Sequence, residues 1–170
     1  VSAIAGLVLV ALTGQWWLLA VGAVALLAAW LYTDGPKPYG YIGLREIFVF
    51  VFFGVVPVVG TAYVQAIAVP TAAWVASIGV GALICAVLVA NNLRDIPTDA
   101  AVGKRTLAVR MGDRATRVGY VVLIVSAFAV IPPLALPSGL GLPFAWLGIV
   151  SAALALRPVV AVVGGATGRA

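Results

Sequence analysis

Apolar residues run through this chain in long blocks, and polar residues fall in the gaps between them. Six apolar segments stand out, at roughly 1–13, 15–32, 46–65, 71–91, 117–136 and 143–163. Most approach the roughly 20 residues a helix needs to cross a bilayer. Glycine and proline inside such blocks do not argue against helix, because membrane helices tolerate both. The joints are short and chemically distinct. They are TGQ at Thr13–Gln15, YTDGPKPYGYIGLRE at Tyr32–Glu46, QAIAVP at Gln65–Pro70, a charged stretch from Asn91 to Arg117, LPSGLG at Leu136–Gly141, and a tail from Arg157. The pattern predicts an all-α, polytopic transmembrane helix bundle with about six spanning segments.

Charge sharpens that picture. Lys37 and Arg45 lie in the second joint. Arg94, Lys104, Arg105, Arg110, Arg114 and Arg117 lie in the fourth, and Arg157 and Arg169 in the tail. The other joints carry no charge. If the segments alternate in direction, all ten cations share one face. The positive-inside rule makes that face cytoplasmic. Loops 32–46 and 91–117 are therefore expected in the cytoplasm, and the chain in the cell membrane. Composition agrees: mean hydropathy is +1.20 and 9% of residues are charged, too few for a soluble domain of this size. There is no histidine and one cysteine, which removes histidine bases, zinc clusters and Ser-His-Asp triads. Cys85 lies in an apolar run and reads as packing. The chain opens on VSAIAGLVLVAL, already apolar and without a charged leader. That is not a signal peptide, and the chain is read as part of a longer protein. No nucleic-acid partner is expected.

Basic loops need no more explanation than orientation and anionic headgroups. The acids do. In NNLRDIPTDAAVGKRTLAVRMG, Asp95 and Asp99 are four positions apart, one turn on the same face of a helix. Carboxylates so placed repel, and a divalent cation shared with a substrate's phosphates is one way to compensate. Lys104 and Arg105 supply donors to an anion, and Gly103 lets backbone approach. Pro97 has no N–H, so the helix arriving from residue 90 should break near Asp95 and restart at Pro97. Asn91 and Asn92 are costly to bury alone and should face a polar cavity. The plain alternative is that Asp95 pairs with Arg94 or Arg105 and Asp99 caps a surface helix. The second joint lies on the same face and carries Lys37, Tyr39, Tyr41 and Glu46 among glycines and prolines. Two such loops over one bundle would suit a phosphorylated lipid.

At these two stretches the chain resembles the UbiA-type intramembrane aromatic prenyltransferases, in their menaquinone-pathway branch. Asp95, Asp99, Gly103 and Thr106 match the second Asp-rich motif of that family, and the resemblance covers essentially the whole chain. It implies a nine-helix fold, of which residues 1–170 would form a partial domain from within the third helix through the eighth. The first Asp-rich motif, N-D-x-x-D-x-x-x-D, and the ninth helix have no counterpart here. The resemblance implies transfer of a polyprenyl chain from an isoprenyl diphosphate to 1,4-dihydroxy-2-naphthoate, with loss of carbon dioxide, giving demethylmenaquinone. Another aromatic acceptor such as 4-hydroxybenzoate is the alternative. It implies Mg²⁺ as cofactor, held by Asp95 and Asp99, with Lys104 as a further catalytic residue. Asn91, Asn92, Arg94, Lys37, Tyr39 and Tyr41 would bind substrate.

Three other readings stay open. CDP-alcohol phosphotransferases also carry D-x-x-x-D, but here Asp34-Gly35 is followed by PKPY rather than the A-R their signature requires, and Asn91 stands where it places glycine. A transporter segment would place ionisable residues inside its spans, and the apolar segments hold essentially none. The chain alone could also be an inert half-bundle.

Overall fold

Glycines and other small residues line the closest helix contacts of the protein. A computed structural model describes residues 2–33, 43–136 and 140–166, all helices and connecting turns. In chain order they are α1 (Ser2–Thr13), α2 (Leu18–Thr33), α3 (Arg45–Ala66), α4 (Thr71–Arg94), α5 (Ile96–Ala101), α6 (Leu107–Ala129), α7 (Ile131–Ala135), which continues α6, and α8 (Pro143–Val163). Among the described residues α3, α4, α6 with α7, and α8 are long and apolar enough to span, at 22, 24, 29 and 21 residues. The expected six spans are thus not all of full length. Helices α1 and α2 have 12 and 16 residues, about 18 and 24 Å at 1.5 Å per residue, short of a hydrocarbon layer about 30 Å thick.

Helix α4 is the centre. Its buried positions include Ala73, Ser77, Gly81, Ala82, Cys85, Ala86, Val89 and Asn92, and the run at 77, 81 and 85 repeats every four residues, one stripe along a helix. Small residues let backbones approach closely, which is how helices associate without a hydrophobic difference from lipid. Gly54 of α3 meets Gly81 of α4 backbone to backbone, and the Phe50 ring lies over Gly81. Gly79 meets Ala127 and Val130 on the other flank. Helix α3 is not α-helical throughout, since Phe50–Val55 takes the wider π winding. The outer helices present leucines and valines outward: Leu12 and Leu154 are both 78% exposed, as lipid-facing positions would be.

Helix α6 begins at Leu107, ten residues before the apolar block that predicted it at 117. The Thr106 hydroxyl caps it, accepting from the Val109 N–H at 3.3 Å. At Gly112 the backbone turns to φ 78°, ψ 172°, a conformation open to glycine. The Thr116 hydroxyl bridges the break by donating to the Gly112 carbonyl at 2.7 Å. Arg110, Arg114 and Arg117 therefore ride on helix rather than in a loop. Asp113, which looks like a cap after Gly112, instead directs both carboxylate oxygens to Arg117, each at 2.7 Å.

The joints sort to two ends as the charges require. At one, Tyr63 donates to Gln15 at 2.8 Å and packs edge-on against Trp17, tying the first joint to the end of α3. At the other, Arg45 reaches Asn92, and Arg117 donates to the carbonyls of Val162 and Ala166. Arg45, at the close of the second joint, thus meets the start of the fourth joint, and Arg117, at the close of the fourth, meets the described part of the tail.

Candidate functional site

Helix α4 ends at Arg94, and Asp95 stands between it and α5 with Pro97 in the first turn that follows. The break falls where proline demands it. The Asp99 N–H still bonds the Asp95 carbonyl at 2.8 Å, so the two aspartates remain one turn apart. Their surroundings differ. Asp99 is 8% exposed, and its Oδ1 lies 3.4 Å from Lys104 Nζ. Gly103, at φ +74°, reverses the chain after α5. The Lys104 N–H then donates back to the Asp99 carbonyl at 2.9 Å. Asp95 is more open and accepts from Arg94 through both oxygens, at 2.8 and 3.2 Å. The Arg94 guanidinium holds the Asp95 carboxyl below the usual carboxylate range, with Lys104 adding to the effect. It therefore stays ionised to lower pH than a free aspartate. The pairing of Asp95 with Arg94 is the plain alternative allowed by the sequence; Asp99 does not cap a surface helix but faces Lys104.

The two asparagines part company. Successive residues on a helix point about 100° apart. Asn92 is 3% exposed and faces α3, while Asn91 is exposed and borders a groove with Tyr120 and Pro158. Only Asn92 lines the cavity described next, so the expectation that both would share a polar cavity is corrected for Asn91.

Asn92 belongs to a polar cluster at the start of α3. Its amide donates to Glu46 Oε1 at 2.9 Å and its carbonyl oxygen accepts from Arg45 at 3.3 Å. Cys85 donates to the Glu46 main-chain carbonyl at 3.3 Å. The second carboxyl oxygen of Glu46 is buried without a hydrogen-bond partner among the described residues. A buried acceptor left so costs about 1–3 kcal/mol. Glu46 and Asn92 stand at the charged end of a cavity of about 430 Å³ whose remaining walls include Phe50, Val89, Met111 and Leu123. Asn92 precedes Asp95 by three residues, about 4.5 Å along the axis, although neither aspartate lines the cavity. Lys104, Arg105 and Arg110 line a second, basic depression of about 340 Å³ beside it. The end of the second joint reaches this mouth: a methyl group on Gly43 would lie 3.6 Å from the Arg105 carbonyl oxygen and 3.7 Å from Arg110 Nε.

Asp95 pairs with Arg94 and Asp99 with Lys104, and of these residues and Asn92 only Asn92 lines the apolar cavity and only Lys104 the basic depression. Lys37, Tyr39 and Tyr41 lie outside the described residues. Sequence reasoning passed over Arg45 and Glu46 as site residues. Their signal was a pair of opposite charges opening an apolar run, which must find partners if the run is buried. Among the described residues no three acidic or sulfur ligands come together to hold a metal; the carboxylates offered are the pair Asp95 and Asp99.

Fold and mouth together define a multi-pass membrane helix bundle with a carboxylate-and-cation rim over an apolar cavity. The model of the UbiA prenyltransferase family matches residues 1–168, and the chain belongs to that family. It is 51% identical over 168 residues to 1,4-dihydroxy-2-naphthoate octaprenyltransferase of Mycobacterium tuberculosis, covering 99% of this chain and 56% of that protein. It is 47% identical over 95 residues to the enzyme of the same name from Escherichia coli, covering 56% of this chain and 31% of that one. A 2-carboxy-1,4-naphthoquinone phytyltransferase of Synechocystis is 28% identical over 112 residues, 66% of this chain and 36% of that one. The chain spans about half the length of the curated relatives it matches most fully. No solved structure matches.

Proposed function

We propose that the protein carrying this chain transfers a polyprenyl group from an isoprenyl diphosphate to 1,4-dihydroxy-2-naphthoate, with loss of carbon dioxide, and so makes demethylmenaquinone. The observation that carries the reading is the pair of aspartates, each matched to a cation, the first of which follows by about one turn the residue Asn92 on the wall of an apolar cavity. The printed names of the most similar relatives support the choice of acceptor. Residues 1–170 would then be a partial domain of a nine-helix enzyme, consistent with the share of its relatives that the chain spans.

Asp95 and Asp99 fit Mg²⁺ in kind, since both offer hard carboxylate oxygens and Asp99 is held in place by Lys104. As a pair they fit only part of a coordination sphere; the rest would come from phosphate oxygens, water and residues beyond this chain. The bound cation would neutralise charge on the departing diphosphate. Lys104 and Arg94 are placed to receive diphosphate oxygens, which requires them to exchange their present partners, Asp99 and Asp95. The apolar walls would keep water from the allylic carbon as positive charge develops there, and Phe50 is the aromatic side chain on the described wall, of a kind that stabilises cations. Lys37, Tyr39 and Tyr41 remain assigned to substrate by the family motif alone.

Lys104→Met should raise the KM for isoprenyl diphosphate and lower kcat/KM by roughly ten- to more than a hundredfold, the worth of a charge-assisted hydrogen bond. Each substrate is titrated at saturating partner. A rise confined to the acceptor KM would move Lys104 to the naphthoate carboxylate.

The charged end is assigned to the cytoplasm of a cell-membrane protein, with loops 32–46 and 91–117 on that side. In a Cys85→Ala background, single cysteines at exposed Ala68 and Ala101 report on the two ends. An impermeant thiol reagent added to intact cells should label position 68 and spare 101. The reverse pattern would invert the topology.

A further inference from the structure

From the unsatisfied carboxyl oxygen at the head of the cavity, we propose that Glu46 binds the aromatic acceptor by taking a hydrogen bond from a ring hydroxyl, with Asn92 and Arg45 holding it in place. The proposal rests on the prenyl-transfer reading above and supplies the acceptor-orienting residue that reading lacks.

Three observations converge. First, Glu46 is half satisfied. Oε1 takes the Asn92 amide at 2.9 Å, while Oε2 is buried with no hydrogen-bond partner among the described residues. An acceptor atom fixed by one bond and open at the other is preorganised for an incoming donor. Second, the other polar side chains described on the cavity wall are Cys85, Asn92 and Thr116, and each already makes a hydrogen bond: the Thr116 hydroxyl to the Gly112 carbonyl, the Cys85 thiol to the Glu46 carbonyl and the Asn92 amide to Glu46 Oε1. Third, the walls are otherwise aliphatic or aromatic, and about 430 Å³ falls within the roughly 300–1,000 Å³ of small-molecule pockets.

A neutral O–H on a flat apolar body suits this lining, which describes a phenolic ring. An acid group on the same ring meets no lysine or arginine among the described wall residues, so the cavity wall offers it no partner. The hydroxyl farther from the acceptor's carboxylate is the one that meets Oε2. The carboxylate edge then turns away from Glu46, toward the mouth where Lys104 and Arg105 lie. Asn92 acts as a positioning residue, since it touches Glu46 and shares its wall. Cys85, hydrogen-bonded to the Glu46 carbonyl and itself on the cavity wall, helps fix the main chain that carries Glu46.

The test uses the full-length protein in liposomes, with 1,4-dihydroxy-2-naphthoate and its methyl ether at the hydroxyl remote from the carboxylate. Glu46→Gln should raise the acceptor KM about ten- to a hundredfold while the isoprenyl diphosphate KM stays within about twofold. The preference of the wild type for the free hydroxyl over the ether should collapse in the variant, and Glu46→Asp should recover part of it. An unchanged acceptor KM, a rise in the diphosphate KM instead, or an equal loss on both acceptors overturns the proposal. Should Glu46→Gln not fold, the wild type decides. The free diol should bind about ten- to a hundredfold more tightly than the ether to the same liposomes; equal affinities, or tighter binding of the ether, overturn the proposal. Binding needs no turnover. A wild type that shows this preference yet makes no prenylated product refutes the transfer reading and leaves the acceptor site standing.

Discussion

Replacing Asp99 with alanine is expected to abolish prenyl transfer while leaving folded protein in the membrane. Removing one preorganised electrostatic contact to a developing charge typically costs about a hundred- to a thousandfold in kcat. Here the loss also removes the contact to Lys104, whose ammonium lies 3.4 Å from the Asp99 carboxylate. Asp95→Ala should lose activity to a similar degree, freeing Arg94 from its two-pronged contact. Asp113→Ala is the internal control. It removes an i,i+4 ion pair on α6 whose Asp113 end is exposed, and helical pairs of that spacing contribute only about 0.3–0.5 kcal/mol. Arg117 keeps the carbonyls of Val162 and Ala166. The measurement is turnover at saturating Mg²⁺, beside yield of monodisperse protein. Near-full activity of Asp99→Ala would end the metal-binding reading.

The largest effect on stability is expected at Gly54. A Cβ there would lie 2.5 Å from the Gly81 Cα and 2.9 Å from its nitrogen. Both are backbone atoms, so no side chain can swing aside, and α3 and α4 must separate. Gly54→Ala should destabilise by about 1–3 kcal/mol, the usual cost of overpacking, and a larger residue by more. Gly79→Ala should be milder. Its nearest obstacle, at 2.8 Å, is Val130 Cγ2, a side-chain atom that can rotate away. Gly60→Ala, with nothing within 4 Å, should be close to neutral. Thermal unfolding in detergent orders the three, and equal midpoints for Gly54→Ala and Gly60→Ala would contradict the packing.

Much of this was legible along the chain, because hydrophobic length and charge act locally. The break at Asp95 follows from Pro97 alone. The shared end for the second joint, the fourth joint and the tail follows from where lysine and arginine can lie in a bilayer. The early start of α6 was hidden, since hydropathy scores its first turns as loop. What makes them helix is the Thr106 cap and one buried face, carried by Ala108 and Thr116, while Arg110 and Arg114 point outward. The divergence of Asn91 and Asn92 needed only the helical angle between neighbours. Glu46 was not legible as a site residue. Its role depends on a partner 46 positions away, and no local pattern announces that the two meet.

The π winding of Phe50–Val55 makes chain length a variable of the site. A π turn holds an extra residue relative to an α turn. Deleting one residue there would let the stretch relax to ordinary α-helix while the Gly54 contact anchored everything after it. The portion before it would then rotate by about 100° and shift by about 1.5 Å. Arg45 and Glu46 would swing off Asn92 with no change in their chemistry, and Phe50 would leave its seat over Gly81. The aim of the carboxyl group is thus written partly in a count of residues several positions away. Single insertions and deletions in this stretch should be felt at the mouth far more than their apolar composition suggests.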